Sequence, residues 1–170
     1  MILGLTVHQF TQLHVGVSLV AIASGIVALY GALYSRRMPG WTALFLATTI
    51  LTSVTGFMFP SAVLTPAQIF GYLSLAVLAV AVVALYAFRL RGIWRPVYVV
   101  TALLALYLNV FVLVVQGFQK VPLLHRFAPT GAEPAFFMAQ GIIFLAFLVW
   151  GVLALRRFHP ERTAPSMQVA

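Results

Sequence analysis

Residues 13–34 read LHVGVSLVAIASGIVALYGALY, twenty-two positions without one acidic or basic side chain other than a histidine. A hydrocarbon core of about 30 Å is crossed by about 20 apolar residues in a helix, so this stretch is long enough to span a bilayer. Four more stretches share its character, at 41–59, 68–88, 96–118 and 135–155. Lipid offers the backbone no partner but itself, and none of the five alternates polar and apolar positions as a barrel strand does. All five therefore read as helices. The expected fold is all-α, a polytopic membrane bundle of five transmembrane helices forming a single domain over 1–170, with a cytoplasmic tail at 156–170.

Composition agrees. Of 170 residues, 63% are hydrophobic and 7% charged, where soluble domains carry roughly 25% charged residues. The ten residues before the first polar-to-apolar change, MILGLTVHQF, hold no lysine or arginine, so the first span is expected to stay rather than be cleaved as a signal peptide. Arg36 and Arg37 follow the first span, Arg89, Arg91 and Arg95 separate the third from the fourth, and Arg156, Arg157 and Arg162 follow the fifth. Only Lys120 and Arg126 fall on the other side. The positive-inside rule assigns the arginine-rich side to the cytoplasm, giving an N-out, C-in, multi-pass protein of the inner membrane. The net charge of +8 thus reads as topology and contact with anionic headgroups of the lipid bilayer, not as affinity for nucleic acid. Nine arginines to one lysine suit a bacterial chain. The chain has no cysteine, which removes disulfides and thiolate ligands.

Helical geometry sorts the first span into faces. Positions 14, 18, 21, 25, 28 and 32 read His, Ser, Ala, Gly, Ala, Ala, and positions 15, 19, 22, 26, 29 and 33 read Val, Leu, Ile, Ile, Leu, Leu. Small residues admit a neighbouring helix and bulky aliphatics meet lipid, so the first face is expected to pack and the second to face outward. His14 then heads the packing face. His8, six residues earlier, lies about 120° round the helix, so the two do not form a metal-binding pair. The second span carries Thr48, Thr49, Thr52, Ser53 and Thr55, whose hydroxyls are expected to bond back to carbonyls one turn earlier. In the fourth span Asn109 and Gln116 share a face, and an amide near the midplane must point inward to find a partner. With Gln140 of the fifth span and His125 of the loop 119–133, His14, Asn109 and Gln116 are the candidate residues of a pocket open to the outside.

The chemistry available to such a pocket is narrow. The chain has no aspartate, and its two glutamates, Glu133 and Glu161, lie outside the spans. Paired-carboxylate hydrolysis, two-metal phosphoryl transfer and triad chemistry have no residues to run on, and no glycine-rich phosphate loop occurs. An enzyme is not expected. Histidines in a bundle can hold haem, and His14 with His125 is the one pair drawn from different parts of the chain. The tetrapeptide VALY occurs at 27–30 and at 83–86, which chance explains better than a duplicated hairpin in so reduced an alphabet.

LHVGVSLVAIASGIVALYG, a short basic turn and GWTALFLATTILTSVTGF together resemble the opening hairpin of a family of uncharacterised bacterial inner-membrane proteins. The resemblance covers about the first 60 residues and implies a helical membrane fold without an assigned activity. In that family a span-opening His and Gly are followed by a second His at the start of the next span. His14 and Gly16 match the first element, whereas Trp41 and Thr42 stand where the second His would be. A two-histidine cofactor site is therefore not implied here.

The expected function is that of a small integral membrane protein serving as a binding or accessory subunit. Its occupant would be an apolar ligand, a membrane protein partner or a second copy in a homo-oligomer. A redox subunit holding haem b or a quinone at His14 is one alternative, and a carrier or channel for a small solute, suggested by Lys120 and Arg126, is another.

Overall fold

A computed structural model describes residues 2–60, 63 and 65–159 of the chain. Thr6 opens the first helix: its hydroxyl accepts the Gln9 N–H at 3.2 Å, and the Gln9 carboxamide oxygen accepts the Thr6 N–H at 3.0 Å. This reciprocal cap starts α1 at Val7, and the helix runs to Leu33. It begins six residues before the expected span because Thr6-x-x-Gln9 satisfies two of the free amides of the first turn. Thr65 and Gln68 repeat the device at the head of α3 (Pro66–Val82). Between them stands α2 (Pro39–Gly56), and α4 (Trp94–Lys120), the one-turn α5 (Pro122–His125) and α6 (Pro134–Arg157) complete the order. No strand occurs among the described residues, only a single bridge between Ile2 and Leu5.

Four helices are long and apolar enough to cross a membrane: α1, α3 with its continuation to Ala87, α4 and α6. Length and hydropathy thus carry four of the five expected spans. The second, α2, has 18 residues, about 27 Å at 1.5 Å per residue. Six of its side chains are hydroxyls, Thr42, Thr48, Thr49, Thr52, Ser53 and Thr55, and these lower its hydropathy. As expected, several bond back within the helix: Thr48 donates to the Leu44 carbonyl at 2.6 Å, Ser53 to Thr49 at 3.0 Å and Thr55 to Leu51 at 2.8 Å. The tail is shorter than expected on its helical side, since α6 continues through Arg157. Glu161 and Arg162 lie outside the described residues.

The helices form a bundle in which α1 packs on α2, α4 and α6, α3 on α2 and α4, and α6 on α4. At the junction of α1, α2 and α4, Gly25 lets Phe45 and Leu106 close against the α1 backbone. Ala21, Ser24, Gly25, Phe45, Leu106 and Ala105 are all buried there. The packing face of α1 is wider than expected. Ile22 and Leu29, read from the sequence as facing lipid, are buried, while Val15, Leu19 and Ile26 of the same row are exposed. Ile22 and Leu29 lie only roughly 60–80° from the His14 direction at 100° per residue. With α2 on one flank and α4 and α6 on the other, the neighbours of α1 cover that extra arc.

Two turns at one end depart from regular geometry. α1 ends with Ser35 in the left-handed region, φ +56°, and the Arg36 N–H reaches back to the Gly31 carbonyl at 2.8 Å. This is a Schellman closure with serine where glycine is usual. After α3 the helix widens into a π turn over Val83–Ala87, then turns through Arg89 and Leu90 at φ +51° and +61°. The second VALY therefore sits in a π turn, whereas the first lies in regular α-helix, so the two copies do not share a conformation. Phe88 stacks on Trp94 across this turn, with ring centroids 3.8 Å apart and planes 1° from parallel.

At the opposite end Glu133 caps α6, with Pro134 in the first helical turn. Its carboxylate does not bond the helix. It turns back onto the loop, accepting the Thr130 N–H at 3.0 Å, the Thr130 hydroxyl at 2.9 Å and the Ala132 N–H at 3.0 Å. The Thr130 backbone N–H foremost holds this carboxyl below the usual carboxylate range.

Candidate functional site

The polar residues singled out for the expected pocket each have a local commitment. His14 Nδ1 lies 2.8 Å from Thr55 Oγ1, and its ring meets Phe59 edge-on with centroids 5.3 Å apart. The Thr55 hydroxyl donates its proton to the Leu51 carbonyl, so it accepts from His14 Nδ1–H. That leaves the lone pair of His14 on Nε2. His125 places Nδ1 3.2 Å from the Phe118 carbonyl and closes the turn between α4 and α5. Asn109 Nδ2 donates to Thr49 Oγ1 at 3.2 Å, joining α4 to α2. Gln140 Nε2 donates to the Phe111 carbonyl at 3.2 Å, joining α6 to α4, while its buried Oε1 has no partner among the described residues. Gln116 is half-buried on α4, and His8 is exposed on the first turns of α1. The structure places His14 against α2 and His125 against its own turn. None of the five candidates lines either of two cavities found elsewhere among the described residues.

Because Asn109 binds across the bundle, Asn109→Leu should destabilise it. Interhelical hydrogen bonds in membranes contribute about 0.6 kcal/mol on average and at most about 1.7. A loss of about 1 kcal/mol is expected in the unfolding midpoint in mild detergent. Thr49→Val should cost about as much, and the double variant little more than either single one. Fully additive losses would mean that the two side chains act separately.

The larger cavity lies at the other end, where three chain turns converge. It measures about 230 Å³ and is lined by Arg36, Arg37 and Thr42 from the α1–α2 turn, Tyr86 from the π turn, and Tyr98 and Phe158 from α4 and the end of α6. Two long-range bonds fix this convergence. Arg95 Nη1 donates to the Phe158 carbonyl at 2.8 Å, and the His159 N–H donates to Ser35 Oγ at 2.8 Å. Tyr98 and Thr42 both belong to the cavity wall. Met38 caps α2 without a side-chain bond and Pro39 follows it, so the α2 N-terminus opens at the cavity. The N–H groups of Gly40 and Trp41 have no carbonyl within the helix, and the dipole places partial positive charge there.

A second, narrow apolar slot of about 30 Å³ lies beside this cavity between α1 and α4. The two share Ala28, Ala32 and Tyr98, and the slot ends at Gly25, Phe45 and Leu106. Seven arginines gather at this end, at 36, 37, 89, 91, 95, 156 and 157, with no acidic residue among the described residues there. Sequence reading took these arginines as topology and passed over Thr42, Tyr86 and Tyr98. The only local signal was Arg36-Arg37 running straight into a proline-initiated helix.

Comparison with protein families, with curated proteins and with solved structures finds no match. Function is therefore argued from the geometry.

Proposed function

We propose that this protein is a five-span inner-membrane protein, N-terminus outside and C-terminus in the cytoplasm, that serves as a binding or accessory subunit and holds a ligand rather than converting one. The observation that carries the reading is the cavity at the convergence of the three basic turns, polar at its mouth and apolar at its depth. The span chemistry supports it, because His14, Asn109 and Gln140 are engaged in joining helices. α2 is counted as the fifth span because its hydroxyls Thr49, Ser53 and Thr55 are buried against neighbours, while Trp41, Leu44, Ile50, Leu51 and Val54 are exposed. An outward apolar face with inward hydroxyls is the arrangement lipid requires.

Reporter fusions after Met38, after Gly92 and at the C-terminus should all report cytoplasmic. A periplasmic signal at any of them would overturn the orientation. The binding role is tested by native mass spectrometry of protein purified in mild detergent, which should show a small molecule retained at about one per chain. Protein that retains nothing, and gains no thermal stability from added membrane lipid extract, would remove the reading. A Soret band lost on His14→Ala would replace it by the haem-holding alternative.

A further inference from the structure

We infer that the cavity between the basic turns binds a phosphate-bearing anion joined to an apolar chain, with the phosphate at Arg36, Arg37 and the α2 N-terminus and the chain directed into the slot between α1 and α4. This deepens the binding-subunit reading and rests on it.

Four features converge on that ligand. The first is charge without compensation. Arg36 and Arg37 line the cavity, five more arginines lie in the chain segments of the same end, and no acid among the described residues stands there to neutralise them. Guanidinium groups present paired N–H donors that match phosphate oxygens, and basic pockets between membrane helices hold anionic headgroups. Arg95 is not one of the ligand-facing groups, since it is occupied by the Phe158 carbonyl.

The second is the donor set. Thr42, Tyr86 and Tyr98, each bearing a hydroxyl, line the cavity, and Met38 and Pro39 bring the start of α2 to its wall. Helix N-termini favour anions, and hydroxyls can donate to the remaining phosphate oxygens.

The third is strain. The wall includes Leu85 and Tyr86 of the π turn and Leu90, whose backbone is in the left-handed region, and the chain neighbours Ser35 and Arg89 of wall residues are left-handed as well. Leu90 is nonetheless buried and lines the cavity. Such conformations cost of order 1–3 kcal/mol each and persist where the surroundings impose them, commonly at binding sites.

The fourth is shape. A free inorganic anion would need no apolar wall, yet the cavity is lined on one side by Ala28, Ala32, Leu85, Leu90 and Phe158 and shares Ala28, Ala32 and Tyr98 with the apolar slot beside it. The small side chains of Ala28 and Ala32 stand on the wall that the two spaces share.

The test compares purified full-length protein with three variants, reading bound lipid by native mass spectrometry and thermal stability in mild detergent. The probes are phosphatidylglycerol, phosphatidylcholine and inorganic phosphate. Phosphatidylglycerol should be retained in preference to phosphatidylcholine and should raise the unfolding midpoint. Arg36→Gln/Arg37→Gln should weaken that retention by about tenfold or more, since each basic group near a headgroup contributes about a factor of five. Arg156→Gln/Arg157→Gln removes the same charge from the same end without touching the cavity and should retain the lipid. Ala28→Leu, which fills the wall shared by cavity and slot, should reduce lipid retention while leaving any stabilisation by inorganic phosphate.

Equal losses in the two arginine pairs would reduce the effect to general electrostatics and overturn the site. Stabilisation by inorganic phosphate with no lipid retained would overturn the apolar part of the ligand. An uncharged molecule retained equally by the wild type and Arg36→Gln/Arg37→Gln would overturn this inference and leave the binding-subunit reading standing. A protein that retains nothing under any condition would end both.

Discussion

Gly25→Val is expected to cost about 3 kcal/mol, the upper end of what over-packing a core exacts. A Cβ at position 25 would stand 2.6 Å from Leu106 Cδ1, 2.8 Å from Phe45 Cδ2 and 3.0 Å from Phe45 Cε2. Real carbon pairs do not approach below about 3.5 Å without repulsion, so Leu106 and the Phe45 ring must both give way. Neither has room: Leu106 is 1% exposed and Phe45 2%. Valine adds two more methyl groups in the same direction, and the contact joins α1, α2 and α4 at once. Gly25→Ala should cost about half as much. Gly16 makes the control, because a Cβ there meets nothing within 4 Å. Gly16→Ala should leave stability unchanged or raise it by up to about 1 kcal/mol through helix propensity. Unfolding midpoints in one detergent read all three. A Gly25→Val protein as stable as the wild type would mean that α1 does not close on Phe45 and Leu106.

That contrast also shows what the sequence could reveal. The row of His14, Ser18, Ala21, Gly25, Ala28 and Ala32 pointed correctly to the packing side of α1 because residue size and helical period are both local properties. Which glycine in the helix is pressed by a neighbour is not local. Gly16 belongs to the family-like motif and stands in open space, while Gly25, in no motif, is the one in contact. Ile22 and Leu29 were misplaced for the same reason. Their burial depends on how many helices flank α1, and periodicity within α1 carries no record of that.

The site divides along the same line. A midplane amide such as Asn109 can be read from sequence as inward-facing because the membrane leaves it no alternative, and Thr49 is the partner that the fold supplies. Its role as one member of a common outer pocket required distances between α1, α4 and the 119–133 loop, and the observed bonds pair these residues locally instead. The inner cavity was hidden more completely. Its lining comes from 28–42, 85–90, 98 and 158, segments whose meeting depends on the π turn after α3 and on two bonds at the end of α6. In the sequence, the same arginines signal only which side of the membrane they occupy.

Arg95→Met tests whether those bonds assemble the cavity. Arg95 is half-buried, and its guanidinium donates to the carbonyl of Phe158, which is 4% exposed. A hydrogen bond to a charged group contributes about 1.5–3 kcal/mol, and a buried carbonyl left without its donor bears the desolvation cost in full. Methionine keeps an unbranched apolar stem and removes the charged guanidinium with its donors. The expected loss is therefore about 2 kcal/mol in the unfolding midpoint. Arg95→Lys should recover part of it, since one ammonium donor can reach the same carbonyl without the guanidinium fork. The effect should also be local. Phe158 walls the cavity and the next residue is tied to Ser35, so releasing the carbonyl should speed amide hydrogen exchange over residues 154–159 and at Arg36, whose N–H closes the α1 turn. Exchange in the α1–α2–α4 core around Leu106 should not change, because no bond to Arg95 reaches it. If the midpoint fell and exchange rose everywhere together, Arg95 would be supporting the whole bundle. If neither changed, the packing of Tyr98 on Phe158, with ring centroids 6.3 Å apart, would be sufficient to hold the end of α6 in place. The expected result, a loss confined to the basic end, would make Arg95 the residue that positions Phe158 as a wall of the cavity, separate from Arg36 and Arg37 at its mouth.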